Sequence, residues 1–101
     1  MSILNHELAA ILPETRFGLA CYDYYKDIAR WEEVPTAYYG KENVTSFTYD
    51  SWMYTHATGQ AWSLNDNEYT CGFHWAVIPF SEASLEKWRL THTGAKPRQA
   101  A

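Results

Sequence analysis

Between residues 44 and 56 the chain alternates with a period of two. Phe47, Tyr49, Ser51 and Met53 fall on one side, and Thr48, Asp50, Trp52, Tyr54 and His56 fall on the other. That period belongs to a pleated strand, and Thr, Tyr, Phe and Trp are strand-forming residues. The pattern therefore predicts a strand with large rings on both faces. At 101 residues the chain suffices for one domain. That size excludes a TIM barrel or a full dinucleotide-binding fold. With 47% hydrophobic and 20% charged residues it buries enough to fold.

The other elements follow from punctuation and periodicity. Leu4, Leu8, Ile11 and Leu12 share a helical face that Pro13 closes, with Ser2 or Asn5 as a cap. Residues 16–25 alternate as a strand, with Phe17, Leu19 and Cys21 on one face and Gly18, Ala20 and Tyr22 on the other. Residues 26–43, broken by Pro35 and Gly40, read as a loop-rich excursion with one helical turn or a short edge strand. Ala57, Thr58 and Gly59 read as a turn into a strand at 60–64, and Asn65, Asp66 and Asn67 as a second turn. The last strand spans 68–80 and ends at Pro79. A C-terminal helix starts after Ser81, carries Glu82 in its first turn, buries Leu85 and Trp88, and stops at Gly94 and Pro97. The expected fold is α+β, with three to four antiparallel strands and an N-terminal and a C-terminal helix on one face. Residues 1–92 form the domain and 93–101 a basic flexible tail.

Charge divides the chain unevenly. Residues 1–86 carry four basic and twelve acidic side chains, a balance of -8, while residues 87–101 carry Lys87, Arg89, Lys96 and Arg98 and no acid. No Lys or Arg occurs between Lys41 and Lys87. An acidic body of this kind repels phosphate. The first twelve residues lack the basic and apolar regions of a secretion signal, and no run is long enough to cross a bilayer. Cys21 and Cys71 alone make no disulfide framework, so the expected setting is cytoplasmic.

Chemistry-bearing residues are sparse. Cys71 and His74, joined by His56 and Cys21, would give a zinc site its thiolate and imidazole ligands, but alternation sets Cys71 and His74 on opposite faces. A Cys71/His56 nucleophile pair lacks a surrounding signature. Asp66 with Glu68, or Glu32 with Glu33, would serve acid–base chemistry inside a cleft, yet their turn and edge positions leave them solvated. The expectation is no enzyme, no cofactor and no metal.

What remains is an aromatic and acidic surface. Two short helices cover one face of a sheet, which leaves Asp50, Trp52, Tyr54, Trp62, Asp66 and Glu68 on the other, with Trp31, Glu32 and Glu33 as a second patch. Trp and Tyr anchor protein interfaces, and carboxylates around them select a basic partner. The expected partner is a protein with a basic surface, without direct nucleic-acid or membrane contact. An uncovered face also allows a homodimer. Two other readings stay open: a small metal- or Cys/His-dependent enzyme, and a nucleic-acid binder using Lys87, Arg89, Lys96 and Arg98.

Leu12, Pro13 and Glu14 stand before the apolar strand at Phe17, and Phe73, His74, Trp75, Ala76, Val77, Ile78 and Pro79 run together near the end. In these two stretches, about a fifth of the chain, the sequence resembles a family of small phage and prophage domains of unknown function. It departs from them in its leading helix, longer middle and trailing helix. The resemblance implies an accessory protein of a mobile element and transfers no catalytic residues. Together with the acidic aromatic face it leads to the expectation of a phage-type inhibitor. Its target would be a host nucleic-acid-handling or defence complex, in an anti-CRISPR-like or anti-restriction-like action.

Overall fold

A computed structural model describes residues 14–35, 43–49 and 51–96. The helix expected over 1–12 and the tail beyond Lys96 lie outside the described residues. The fold is α+β. Strand β1 (Arg16–Asp23) runs into β2 (Ile28–Glu32), β3 (Val34–Pro35), β4 (Asn43–Val44) and β5 (Phe47–Thr48). Helix α1 (Trp52–Asn65), a 3-10 turn (Glu68–Thr70), β6 (Phe73–Pro79) and helix α2 (Glu82–His92) follow.

β1 is the organising strand. It pairs antiparallel with β6 from Phe17↔Pro79 to Asp23↔Phe73. β2 pairs with residues 19–23 of β1, and β5 pairs with residues 16 and 17. Because β6 overlaps both of these stretches, β2 and β5 must share the opposite edge of β1. β3 and β4 form a separate pair, Val34↔Val44 and Pro35↔Asn43. The hairpin from β1 to β2 is held by Asp23, whose Oδ1 accepts from the Tyr25 and Lys26 amides at 2.9 and 3.2 Å. It closes through Asp27 at φ 54°, a left-handed position that Asp tolerates.

Alternation along β1 separates the two sides of the sheet. Phe17, Leu19 and Cys21 join Trp75, Phe47 and Val34 in a core closed by Met53, Ala57 and Ala61 of α1. Gly18, Ala20 and Tyr22 face the other way, where Tyr22 meets Trp88 and His92 of α2. At Gly18 no side chain fits: a Cβ there would lie 2.7 Å from the Thr45 carbonyl oxygen and 2.8 Å from the Trp31 and Phe80 rings. The sheet is thus covered on both sides, one helix to each.

That arrangement corrects the sequence reading of the centre. Residues 52–65 are one helix, not two strands joined by a turn at Gly59. Trp52 and Trp62 project outward while Met53, Ala57 and Ala61 project inward. Apolar residues on both sides of a helix cancel the 3.6-residue signal that would have marked it. The face expected to stay open is the one α1 covers. β6 and α2 match their expectation, although the strand begins only at Phe73. Ser81 caps α2 by accepting from the Ser84 amide at 3.1 Å. Gly94, at φ 84°, ends it in the left-handed conformation that suits glycine.

Candidate functional site

α1 contains no Lys, Arg, Asp or Glu. Helical spacing puts Trp52, Thr55, His56, Gly59, Trp62, Ser63 and Asp66 on one outward face. All of them are exposed. Trp52 retains 59% and Trp62 71% of its surface to solvent. Ten residues separate the indoles, about 15 Å along the axis. The Trp52 ring leans on His56 with centroids 5.5 Å apart. Between the two indoles Gly59 lies bare, with nothing within 4 Å of where a Cβ would stand. The result is a shallow uncharged trough between two aromatic posts. Asp66 closes one end, with Tyr69 exposed just beyond it.

The expected site residues are divided by this geometry. Trp52, Trp62 and Asp66 share the outer face of α1, and Glu68 begins the 3-10 turn that follows. Tyr54 turns inward: its ring packs against Tyr49, Phe17 and Phe47 at 4.5, 5.3 and 6.2 Å, and burial raises its hydroxyl pKa. Asp50 lies outside the described residues. Trp31 sits on β2 opposite Ala20, on the α2 side of the sheet, with Phe80 at 4.6 Å. Glu32 is paired to Arg30 at 2.6 Å, and Glu33 accepts from Asn43 at 3.3 Å. The two patches therefore do not merge.

Sequence reasoning missed a second constellation, beneath α2. The fully buried Tyr22 donates its hydroxyl to Asp27 Oδ1 at 2.6 Å. Asp27 also accepts from Arg89 Nη1 at 2.8 Å and Thr93 Oγ1 at 3.2 Å. Arg89 completes its fork on Glu86 at 2.7 and 2.8 Å. The Asp27 carboxylate pushes the Tyr22 hydroxyl up to about 12, and the donated hydroxyl holds Asp27 below the usual carboxylate range. Beside them His92 stacks on Tyr22, and its Nε2 lies 2.6 Å from His74 Nδ1. A carbonyl only accepts, so the 2.8 Å contact of His92 Nδ1 with the Trp88 carbonyl puts a proton on Nδ1. With both rings neutral, His74 Nδ1–H then donates to His92 Nε2. One signal was available in the sequence. His74 alternates away from Trp75, toward the side of the final helix, and His92 falls four residues after Trp88.

Among the described residues no three His, Cys, Asp or Glu side chains come together as a cation site requires. Burial pushes the Cys21 thiol up to about 12, which keeps it protonated at neutral pH. His56 stands on the outer face of α1 beside Trp52, while Cys71 caps the 3-10 turn. No described helix is long and apolar enough to cross a membrane. Comparison with protein families, curated proteins and solved structures finds no match to this chain.

Proposed function

We propose that this is a non-enzymatic binding protein that takes a protein partner with a basic surface onto the outer face of α1. Its action would be that of a small phage-type inhibitor of a host nucleic-acid-handling or defence complex. The observation that carries this reading is the pair of solvent-facing indoles, Trp52 and Trp62, on one side of an uncharged helix. Exposed Trp pairs of this kind are interface anchors, and Trp is the strongest aromatic partner for a Lys or Arg side chain. Asp66 adjoins the trough, and the span from Glu42 to Glu86 holds carboxylates without one cation. That field attracts a basic partner and repels nucleic acid. The rival use of the basic end as a phosphate grip is weakened because Arg89 is already held by Asp27 and Glu86.

The test is a quantitative binding series on the partner captured by the wild-type chain. Trp52→Ala, Trp62→Ala and Asp66→Lys are each expected to weaken binding by about tenfold or more, with melting temperatures unchanged. Affinities that stay within about twofold in all three variants refute the assignment.

A further inference from the structure

On the other side of the sheet a groove of about 310 Å3 opens between β6 and α2, lined by Ile78, Pro79, Ser84, Lys87, Trp88 and Thr91. Three independent features meet there. The first is the Val77 position on the edge of β6 that faces away from β1. Asn65 Nδ2 donates to the Trp75 carbonyl at 2.8 Å, and the Trp75 amide donates to Asn65 Oδ1 at 2.9 Å. The Trp75 backbone therefore points away from β1. By alternation the Val77 amide and carbonyl point the same way, and among the described residues they meet no partner. Pro79 has no amide to offer, and its carbonyl accepts from Ser81 at 3.1 Å. The edge is thus capped on one side of Val77 and stopped on the other, leaving two hydrogen bonds for one short extended segment.

The second feature is Lys87. Its neighbours at helical spacing are Ala83, Ser84, Leu90 and Thr91, none of them acidic, and it makes no ion pair among the described residues. The helix's other cation, Arg89, is held by Asp27 and Glu86. The third is Ser84. Ser81 Oγ accepts from the Ser84 amide and donates to Ser84 Oγ at 2.9 Å, which leaves the Ser84 hydroxyl proton for a ligand. A cation and a hydroxyl donor, one turn apart on α2, face an apolar groove beside the Val77 backbone, which is unpaired among the described residues.

We propose that this groove binds the C-terminal end of a peptide. The segment would run parallel to β6, its last amide donating to the Val77 carbonyl and an earlier carbonyl accepting from the Val77 amide. Its last side chain would enter the groove beside Ile78 and Trp88, and its carboxylate would meet Lys87 and Ser84. A chain end brings the carboxylate that Lys87 and Ser84 would meet, and past Val77 the edge has no further amide to offer because Pro79 follows. This site lies across the sheet from the α1 face, so the two readings stand or fall separately.

The experiment titrates acetyl-Ala-Thr-Leu, as free acid, into the 15N-labelled chain. Shifts are expected at the Val77 and Lys87 amides and the Trp88 indole. The C-terminal amide of the same peptide and the analogue N-methylated at its last residue should each bind at least about tenfold more weakly. Lys87→Gln, a surface change whose fold the same spectrum verifies, should erase the difference between acid and amide. Equal binding of acid and amide, an unaffected Lys87→Gln, or no shift at these positions at millimolar peptide overturns the proposal. Acetyl-leucine alone binding as tightly as the peptide overturns the strand pairing.

Discussion

Gly59 offers a sharp test of the helix over residues 52–65. A glycine in a helix interior leaves the unfolded chain more freedom than alanine does, and it destabilises the helix by about 0.5–1 kcal/mol relative to alanine. Gly59 has ordinary helical backbone and empty space where a Cβ would stand, so Gly59→Ala adds no clash. The substitution should therefore stabilise the fold by about 0.5–1 kcal/mol, which for a domain of this size raises the melting temperature by about 2–8 °C. Circular dichroism melts and urea titrations with an unchanged m-value would measure it. Gly18→Ala is the opposing control. Its Cβ would press on the Thr45 carbonyl and on two aromatic rings, and overpacking of that kind costs about 1–3 kcal/mol. A Gly59→Ala variant that melts at or below the wild-type temperature would mean that residue 59 sits in a turn, and the account of α1 would fail.

Asn65→Ala removes both bonds to the Trp75 backbone. It should lower stability by about 2–4 kcal/mol and, with the β6 edge uncapped, promote concentration-dependent association; urea titration and sedimentation would read both, and an unmoved urea midpoint refutes the capping role. Asp27 titrates below the usual carboxylate range because Tyr22, Thr93 and Arg89 bond its charged form. Its contribution is therefore complete above about pH 4 and is lost as pH falls through and below that value, so Asp27→Asn should flatten the acid limb of a urea-midpoint profile. Tyr22 has the opposite sense: bonding to Asp27 favours the neutral phenol, so its contribution holds below about pH 10 and is lost as pH rises through 12. Tyr22→Phe should remove that alkaline limb, and an unchanged limb would refute the assignment.

The parts of the fold that were readable in the sequence are those where one local rule met no competitor. α2 carries a cap at Ser81, an acid at Glu82, a buried stripe and a glycine stop, and each appears where the spacing puts it. β1 and β6 alternate as written because each is packed on both faces by the helices and flanked by turn residues. The failure at α1 has two physical causes. Ser51 occupies the N-cap position, but its hydroxyl donates to the Thr48 carbonyl at 2.8 Å instead of capping, so the start of the helix is unmarked. Trp52 and Trp62 then give the outer face as much apolar character as the inner one. Residues two apart, such as Trp52 and Tyr54, share a face in a strand; in a helix they diverge by about 200°. The Tyr22, Asp27 and Arg89 network spans 67 residues of sequence, and nothing local joins its members.

α1 is poorly suited to be a surface helix and well suited to be a contact. Stability alone would favour alanine and long charged residues on its outer face, with carboxylates in the first turn and cations in the last. None of these is present: the first turn has no acid, the last has no base, and the exposed positions hold Trp52, Thr55, His56, Gly59, Trp62 and Ser63. A bare glycine between two exposed indoles weakens the helix and leaves water against about two large apolar rings, while keeping the floor of the trough flat for an incoming side chain. Local choices that oppose the fold mark positions used for something other than folding. The same substitution that probes the helix thus probes its use: Gly59→Ala should raise stability while narrowing the trough by a methyl group, so tighter folding should come with weaker partner binding. A variant gaining both would place recognition elsewhere than on this face.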